Sequence, residues 1–184
     1  AVLPGSSLLL RNVGVNETRT GILDVLQAMG AKLTLENKRT SGGEAAADIR
    51  IESGTLHGTS FGADIMPRLI DEIPIIAVAA LLAEGDTVIT GAGELRVKET
   101  DRLAAIEKEF SKLAPGAVEV TEDGLVIHGG CELKRADCFT HDDHRMAMSL
   151  AILGAAGAGV ELIHADCVNI SYPEFYATLE RLQK

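Results

Sequence analysis

Apolar and polar residues alternate along three short stretches of the chain, and a helical pattern follows each of them. The alternation is typical of half-buried strands. It covers residues 7–13, 86–92 and 160–166. Helical spacing of apolar residues begins near Thr20, Glu99 and Pro173, at the same offset from the start of each strand. The constant offset predicts one supersecondary unit that is used three times.

Further helices and strand pairs extend this unit. Mostly apolar runs predict one helix over residues 74–84 and another over 145–158. Strand pairs are predicted at 31–37 with 48–53 and at 117–121 with 125–128, the second joined by a favourable Glu-Asp-Gly turn. Residues 39–48 are rich in glycine, alanine and polar residues, and they are predicted to form a surface loop.

The resulting unit is a helix, a strand, a helix and a strand pair, and two of the three copies are incomplete. Only the residues AVLP stand where the first copy needs its leading helix, and the third copy lacks its strand pair. The chain also begins without methionine. We therefore expect a processed chain or a fragment that belongs to a larger polypeptide or pairs with another one. The missing strand pair predicts an open sheet edge and a tendency to associate.

Composition narrows the class of protein. The length of 184 residues, of which 46% are apolar, fits one domain with a core of ordinary size. A net charge of −10 argues against a nucleic-acid partner, because such proteins usually carry a basic surface. The apolar runs are too short or too interrupted to span a bilayer. Three cysteines without a C-x-x-C pair predict reduced thiols, no zinc framework and a cytoplasmic location.

The segment LRVKETDRL (95–103) carries charges of both signs at a predicted helix start. Its charged residues are Arg96, Lys98, Glu99, Asp101 and Arg102. Backbone amides at a helix N-terminus favour anions, and an arginine adds a planar fork that suits carboxylate or phosphate. A carboxylate beside bound anions can act as a general acid, since like charges raise its pKa. The alternative is a capped and salt-bridged helix start.

Two further segments place polar residues before helices. In PRLIDEIP (67–74), Asp71 precedes an apolar helix, where it serves either as an N-cap or as a general base. In THDDHRMAM (140–148), His141, Asp142, Asp143 and His144 lack the spacing that metal ligands require, so we expect no metal. Arg145 opens the next helix, where it pairs with Asp142 or Asp143 or else contacts a bound anion.

These segments resemble the signatures of the 5-enolpyruvylshikimate-3-phosphate synthase family. The similar segments are RNVGVNETRTGILDVLQAMGA (11–31), LIDEIPI (69–75), LRVKETDRL (95–103), HDDHRMAMS (141–149) and SYPEF (171–175). The resemblance implies an α/β (α+β) domain of three repeated β-α-β-α-β-β units with helices packed inside, the third unit being incomplete. It also implies that residues 1–184 form most of the C-terminal domain of a two-domain enolpyruvyl transferase, and that the N-terminal domain is absent.

The same resemblance implies the reaction and the roles of the site residues. The enolpyruvyl group of phosphoenolpyruvate is transferred to the 5-hydroxyl of shikimate-3-phosphate, phosphate is released, and no cofactor is needed. Asp71 handles the hydroxyl proton, and Glu99 exchanges a proton with the methylene carbon. Arg102 and Arg145 bind the carboxylate of phosphoenolpyruvate, the group that glyphosate mimics. Lys98 reaches the shikimate phosphate and the developing charge, with His144 as a neighbour of the site.

Two positions depart from the family pattern, and other functions stay open. Glu94 and Ile170 stand where some family members have asparagine and lysine, so the fine contacts with the ligands are undetermined. An isolated domain that binds phosphoenolpyruvate or phosphate without turnover is one alternative. Half of a UDP-N-acetylglucosamine enolpyruvyl transferase and a metal-dependent hydrolase are the others. For every reading except the metal-dependent hydrolase, the expected partners are small-molecule ligands and the missing N-terminal domain.

Overall fold

The computed structural model describes residues 1–183, and these form strands in three small sheets around a set of α-helices. In chain order the elements are β1 (Ser7–Gly14), α1 (Gly21–Ala28), β2 (Lys32–Ser41), β3 (Glu44–Glu52), β4 (Ser60–Phe61), α2 (Ile73–Leu81), β5 (Asp86–Ile89), α3 (Arg102–Leu113), β6 (Val118–Val120), β7 (Leu125–His128), β8 (Ala136–Phe139), α4 (His144–Ala155), β9 (Val160–Ile163) and α5 (Phe175–Leu182). Short 3-10 helices lie in several of the connections.

The middle unit runs β4-α2-β5-α3-β6-β7 and shows the complete repeat. Its four strands lie in the order β4-β5-β7-β6, with β4 parallel to β5 and the other pairs antiparallel. The first unit has β1-α1-β2-β3 in a sheet of order β1-β3-β2, and the third has β8-α4-β9-α5 with β8 parallel to β9. The predicted fold of three repeated units, with the third incomplete, is confirmed.

Helix α2 lies at the centre of the molecule and packs against α3 and α4. All of its residues except Ile75 are buried, among them Ile73, Ile76 and Leu81. A helix that is apolar on all sides is stable only when protein surrounds it. The helices α3 and α4 cover it with one apolar face each, through residues such as Ile106, Phe110 and Leu150. The expected packing of helices inside the domain is therefore present.

The strands β4 and β8 were not found by the sequence pattern. Strand β4 has only two residues, which is too short for an alternation to be visible. Just before β4 the chain lies very close to the start of β5. A Cβ atom added to Gly58 would lie only 2.1 Å from the backbone oxygen of Asp86. Strand β8 alternates for four residues only, and its parallel partner β9 follows after the whole of α4. Pairing with a neighbour, rather than local sequence, makes these segments strands.

The prediction of a surface loop over residues 39–48 was wrong. Strand β2 continues to Ser41 and β3 begins at Glu44, so the segment is a hairpin with a two-residue turn. Gly42 and Gly43 have φ angles of 61° and 88°, the left-handed values that a tight hairpin turn of this kind needs. Glycine here closes a hairpin and does not mark a loop.

A buried carboxylate, Asp48 on β3, holds the three strands of the first sheet together. Asn12 on β1 and Asn37 on β2 both adopt left-handed φ angles, of 56° and 50°, where the strand register shifts. Asp48 accepts hydrogen bonds from the Asn12 backbone N–H at 2.8 Å, from Asn37 Nδ2 at 3.0 Å and from Arg39 Nη2 at 2.9 Å. These bonds offset the unfavourable backbone angles and fix the register on both sides of β3.

All three sheets have open edges in the described part of the chain, and β1 and β9 are among the edge strands. Within residues 1–183, β1 pairs only with β3, and β9 pairs only with β8. Leu8, Leu10 and Ile163 on these two strands are exposed. Such edges favour pairing with further strands, and the association expected from the sequence stays a prediction. No helix in this part of the chain is long and apolar enough to cross a membrane.

Candidate functional site

The starts of the helices α2, α3 and α4 meet at one end of the domain and bring charged residues together. Asp71 lies in the 3-10 helix Ile70–Glu72 that leads into α2, and Arg102 is the first residue of α3. Asp143 is the N-cap of α4, where its Oδ1 accepts the backbone N–H of Arg145 at 2.8 Å. Because each repeat places a helix start at this end, residues that are distant in sequence become neighbours.

Arg102 is the centre of this cluster and is almost completely buried. Its side chain is 1% exposed, and its Nε donates to Asp143 Oδ2 at 2.8 Å. Its Nη1 donates to Asp71 Oδ1 at 3.3 Å, and its Nη2 donates to Glu99 Oε2 at 2.7 Å. A buried cation is tolerated only when charged partners compensate for lost hydration. Three carboxylates meet this requirement.

Three cations surround the carboxylate of Asp71. Lys98 Nζ lies 3.8 Å from Oδ1, Arg102 Nη1 lies 3.3 Å from Oδ1, and Arg145 Nη2 lies 3.5 Å from Oδ2. The alternative role of Asp71 as a helix cap is not supported, because the N-cap residue of α2 is Glu72 and no side chain caps this helix. Converging cations of this kind favour an anion in the space between them.

Lys98 has a second acidic partner on the preceding 3-10 helix Gly93–Val97. Its Nζ donates to Glu94 Oε1 at 2.6 Å. This hydrogen bond raises the pKa of Lys98. Partial desolvation opposes the increase, and the negative charge of Asp71 supports it. Glu94, one of the two departures from the family pattern, therefore holds a lysine of the site as a cation.

Arg145 points towards Asp71 and not towards the acidic residues that precede it. Its Nη1 donates to the backbone oxygen of Asp71 at 3.1 Å, and it lies 3.9 Å from Glu72 Oε1. The alternative of an ion pair between its guanidinium and Asp142 or Asp143 is therefore wrong. Its charge opposes the dipole of α4, and Asp71 and Asp143 offset that cost.

Glu99 is the most exposed of the three carboxylates that contact Arg102. The side chain of Glu99 is 48% exposed, so solvent or a ligand can reach it beside Arg102. His144 is the first residue of α4 and is half-buried. Its ring makes no hydrogen bond or ion pair with any residue in the range 1–183. The second departure from the family pattern, Ile170, is exposed and lies before α5.

The other residues of the segment THDDHRMAM turn away from the cluster. His141 Nε2 lies 2.9 Å from Glu109 Oε1, and Asp142 Oδ1 lies 3.1 Å from His164 Nδ1. No group of three or more potential metal ligands occurs in the described residues. His141 and Asp142 therefore each bind a separate partner outside the cluster.

Sequence reasoning missed the central role of Asp143. It considered Asp143 as a metal ligand, which it rejected, and as a possible partner of Arg145, whereas the carboxylate caps α4 and binds Arg102. Its position directly before an apolar helical pattern was a signal for the cap. No local signal indicated the bond to Arg102, which crosses from one repeat to the next.

An apolar groove of about 220 Å³ lies beside the cluster. Its lining residues are Asp71, Glu72, Pro74, Ile75, Arg145, Met148, Ser149, Ile152 and Phe175. The charged residues stand at one end of the groove, and the others come from α2, α4 and the start of α5. A ligand with an anionic end and a small apolar part fits this combination.

The fold and the cluster together define a repeated α/β domain with charged residues of both signs at one end. The family model described as EPSP synthase (3-phosphoshikimate 1-carboxyvinyltransferase) matches residues 1–179. The chain is 51% identical over 183 residues to the 3-phosphoshikimate 1-carboxyvinyltransferase of Acaryochloris marina, covering 99% of this chain and 41% of that one. The chain therefore belongs to the EPSP synthase family.

Further relatives agree in both sequence and fold. The Synechocystis sp. enzyme of the same name is 53% identical over 180 residues, which are 97% of this chain and 40% of the relative. The solved EPSP synthase of Acinetobacter baumannii superposes with a TM-score of 0.88 at 38% identity, over 97% of this chain and 42% of that chain. The chain thus spans about two fifths of the length of the curated relatives that it matches.

Proposed function

We propose that this chain is most of the C-terminal domain of a two-domain EPSP synthase, and that the cluster around Arg102 forms one wall of its active site. The convergence of Lys98, Arg102 and Arg145 on Asp71 carries this proposal. It supplies cations for an anionic substrate and carboxylates for proton transfer in one place. The share of the relatives that the chain covers is consistent with a second domain that supplies the opposite wall.

The proposed reaction transfers the enolpyruvyl group of phosphoenolpyruvate to the 5-hydroxyl of shikimate-3-phosphate. A proton adds to the methylene carbon of phosphoenolpyruvate while the 5-hydroxyl oxygen attacks the adjacent carbon and loses its own proton. The tetrahedral intermediate then expels phosphate, and the new methyl group gives back a proton to restore the double bond. No atom changes its oxidation state overall, so acid–base groups and cations suffice and the proposal includes no cofactor.

The geometry supports a division of labour between the two carboxylates. Glu99 is half-exposed and accepts a hydrogen bond from Arg102, so it can reach the methylene carbon of a bound substrate. Asp71 lies among three cations, which stabilise the carboxylate as it orients the hydroxyl group or takes its proton. Proton transfer by positioned side chains contributes roughly 10²–10⁴-fold to a rate.

The cations would bind the substrate by exchange with their present partners. The donors of Arg102 are occupied by Asp71, Glu99 and Asp143, and only the first two of these carboxylates are accessible. A substrate carboxylate therefore replaces Glu99 or Asp71 as an acceptor of Arg102 and also contacts Arg145. Where the substrate replaces Glu99, that carboxylate is released towards the reacting carbon. Lys98 remains available for a phosphate group, and His144 is proposed as a further substrate-binding residue.

The test is phosphate release from phosphoenolpyruvate and shikimate-3-phosphate. The chain is assayed alone and after mixing with a separately prepared N-terminal domain, and the variants Glu99→Gln and Glu161→Gln are compared. Glu161 is a suitable control because it lies on β9, outside the cluster, and its one ion pair within residues 1–183 is with Arg135, at 3.5 Å. We expect activity on mixing, loss with Glu99→Gln and no loss with Glu161→Gln. If the two domains are shown to associate but release no phosphate, the proposal is contradicted.

A second candidate is an isolated domain that binds phosphoenolpyruvate or phosphate without turnover. The observation that favours it is that Lys98, Arg102 and Arg145 meet within this chain alone. Calorimetric titration of the chain with phosphoenolpyruvate distinguishes the cases. Binding without activity in any mixture supports this candidate. Replacement of shikimate-3-phosphate by UDP-N-acetylglucosamine in the activity assay tests the alternative acceptor.

A further inference from the structure

A buried carboxylate on α3, outside the cluster, contacts the loop that carries Asp143. Glu109 is 0% exposed and lies about two helical turns after Arg102, so both side chains are on the same face of α3. A fully buried carboxylate is rare unless it is paired. None of the functional roles described above uses Glu109.

The partners of Glu109 are Lys112 on α3, Phe139 at the end of β8 and His141 in the loop between β8 and α4. Its Oε2 accepts the Phe139 backbone N–H at 2.9 Å and Lys112 Nζ at 2.5 Å, and its Oε1 lies 2.9 Å from His141 Nε2. Burial alone would raise the pKa of Glu109, but the hydrogen bonds from Lys112, His141 and Phe139 outweigh it and lower the pKa. The side chain is therefore an anion that holds several donors at once.

The backbone of this loop is held in an unfavourable conformation. His141 and Asp142 have φ angles of 57° and 56°, and the neighbouring His164 has 62°. Such left-handed angles in residues other than glycine persist only when surrounding contacts enforce them. Two side-chain hydrogen bonds hold the loop, one between Glu109 and His141 and one between Asp142 and His164. The ring of Phe139 also packs edge-to-face against both histidine rings.

The loop ends at Asp143, so its conformation determines the geometry of the cluster. Helix α3 binds this segment at two points. Arg102 donates a hydrogen bond to Asp143, and Glu109 is hydrogen-bonded to the Phe139 backbone N–H and to the His141 ring. The residue after His144 is Arg145, whose guanidinium reaches Asp71. A shift of the loop would therefore move Asp143 and Arg145 together relative to Arg102.

We propose that Glu109 is a positioning residue of the site, which fixes residues 139–143 and thereby the bond between Asp143 and Arg102. Its effect on turnover rests on the proposed function, whereas its effect on the loop does not. The inference assigns to Glu109 no contact with a substrate. It predicts that loss of its charge loosens the Arg102–Asp143 bond although neither residue has changed.

The test observes the Arg102 Nε–H group by NMR in the whole ¹⁵N-labelled chain. The signal is assigned by its disappearance in Arg102→Lys. The variants are Glu109→Gln, His141→Gln and the control Glu107→Gln. Glu107 lies on the same helix, but its Oε1 accepts the Val120 N–H on β6 at 3.3 Å and makes no contact with the loop. We expect Glu109→Gln to speed exchange of the Arg102 Nε–H with water about tenfold, as loss of a hydrogen bond to a charged group implies.

The outcomes separate this inference from the proposed function. Unchanged exchange in Glu109→Gln overturns the inference, and so does an equal acceleration in Glu107→Gln, which would indicate general loosening of α3. If Glu109→Gln does not fold, His141→Gln decides, because it removes one of the loop contacts at a more exposed position. With the complementing domain, kcat/KM for phosphoenolpyruvate should fall about tenfold in Glu109→Gln and stay unchanged in Glu107→Gln. Absence of any activity bears on the proposed function only.

Discussion

Arg102 and Asp143 form a buried pair that joins the first turn of α3 to the N-cap of α4. Arg102 Nε lies 2.8 Å from Asp143 Oδ2, and Nη2 lies 3.4 Å from Oδ1. The side chains are 1% and 0% exposed. The pair therefore ties the second repeat to the third at the place where the charged residues of the site converge.

Removal of one member of this pair should be costly for stability. Asp143→Ala leaves Arg102 with an uncompensated buried charge and removes a helix cap, so we expect a loss of about 3–5 kcal/mol in the free energy of unfolding. Asp101→Ala is the matched control, since Asp101 caps α3 by accepting the Ala104 N–H at 3.1 Å but is more accessible to solvent. For that control we expect a loss of about 0.5–2 kcal/mol. Urea unfolding measures both, and equal losses would contradict the central role of Asp143.

Loss of the charge of Arg145 should weaken anion binding without unfolding the domain. Arg145→Gln removes a partly exposed cation that faces Asp71, and we expect phosphoenolpyruvate to bind roughly 10–100-fold more weakly, as loss of charged hydrogen bonds implies. Arg135→Gln, which removes an exposed arginine paired with Glu161, is the control and should leave the affinity unchanged. Calorimetric titration provides the comparison. Equal affinity of the Arg145 variant and the original chain would place the anion elsewhere.

Asp48 should make stability depend on pH in the acid range. The hydrogen bonds from the Asn12 N–H, Asn37 and Arg39 hold the pKa of Asp48 well below its ordinary value. Because the folded-state pKa is lowered, this stabilisation is fully present above the unfolded pKa of about 3.9 and is lost as the pH falls below it. Asp48→Asn should therefore lower Tm at pH 7, with a difference that shrinks towards pH 3. Asp64→Asn, at an exposed position, is the control in the thermal melts. A decrease in Tm for Asp48→Asn that is equal at pH 7 and pH 3 would contradict the prediction.

His128 should have the opposite pH dependence. The hydrogen bond to Asp86 raises the pKa of His128 above its ordinary value, with a further contribution from Glu119. A raised folded-state pKa stabilises the fold fully below the unfolded pKa of about 6.5, and this stabilisation is lost as the pH rises through the folded value. His128→Gln should reduce Tm at pH 6 and have little effect at pH 9. His57→Gln, near Glu84 at 3.5 Å, is the control, and a loss that is the same at both pH values would argue against protonation of His128.

The sequence by itself determined the repeat and the main helices. Apolar spacing predicts α1 to α5 because the apolar residues of each helix face the protein, and this periodicity is a local property. Nearly all of α2 is buried, whereas the apolar residues Phe175 and Leu179 of α5 are only half-buried. The helix starts shift by up to three residues, as at α3, where Asp101 caps the helix that begins at Arg102. The charged segments also indicated which residues to examine, since Asp71, Lys98, Glu99, Arg102 and Arg145 all lie in or beside the cluster.

Only the tertiary structure decided which partners these residues have. Periodicity shows that a face is buried but not what covers it, so the short strands β4 and β8 and the hairpin at Gly42 could not be recognised. The bond from Arg102 to Asp143 and the contact of Glu109 with the loop before α4 cross between repeats. A charged side chain can be buried without a large loss of free energy only where packing brings opposite charges beside it. That packing is a property of the folded chain as a whole.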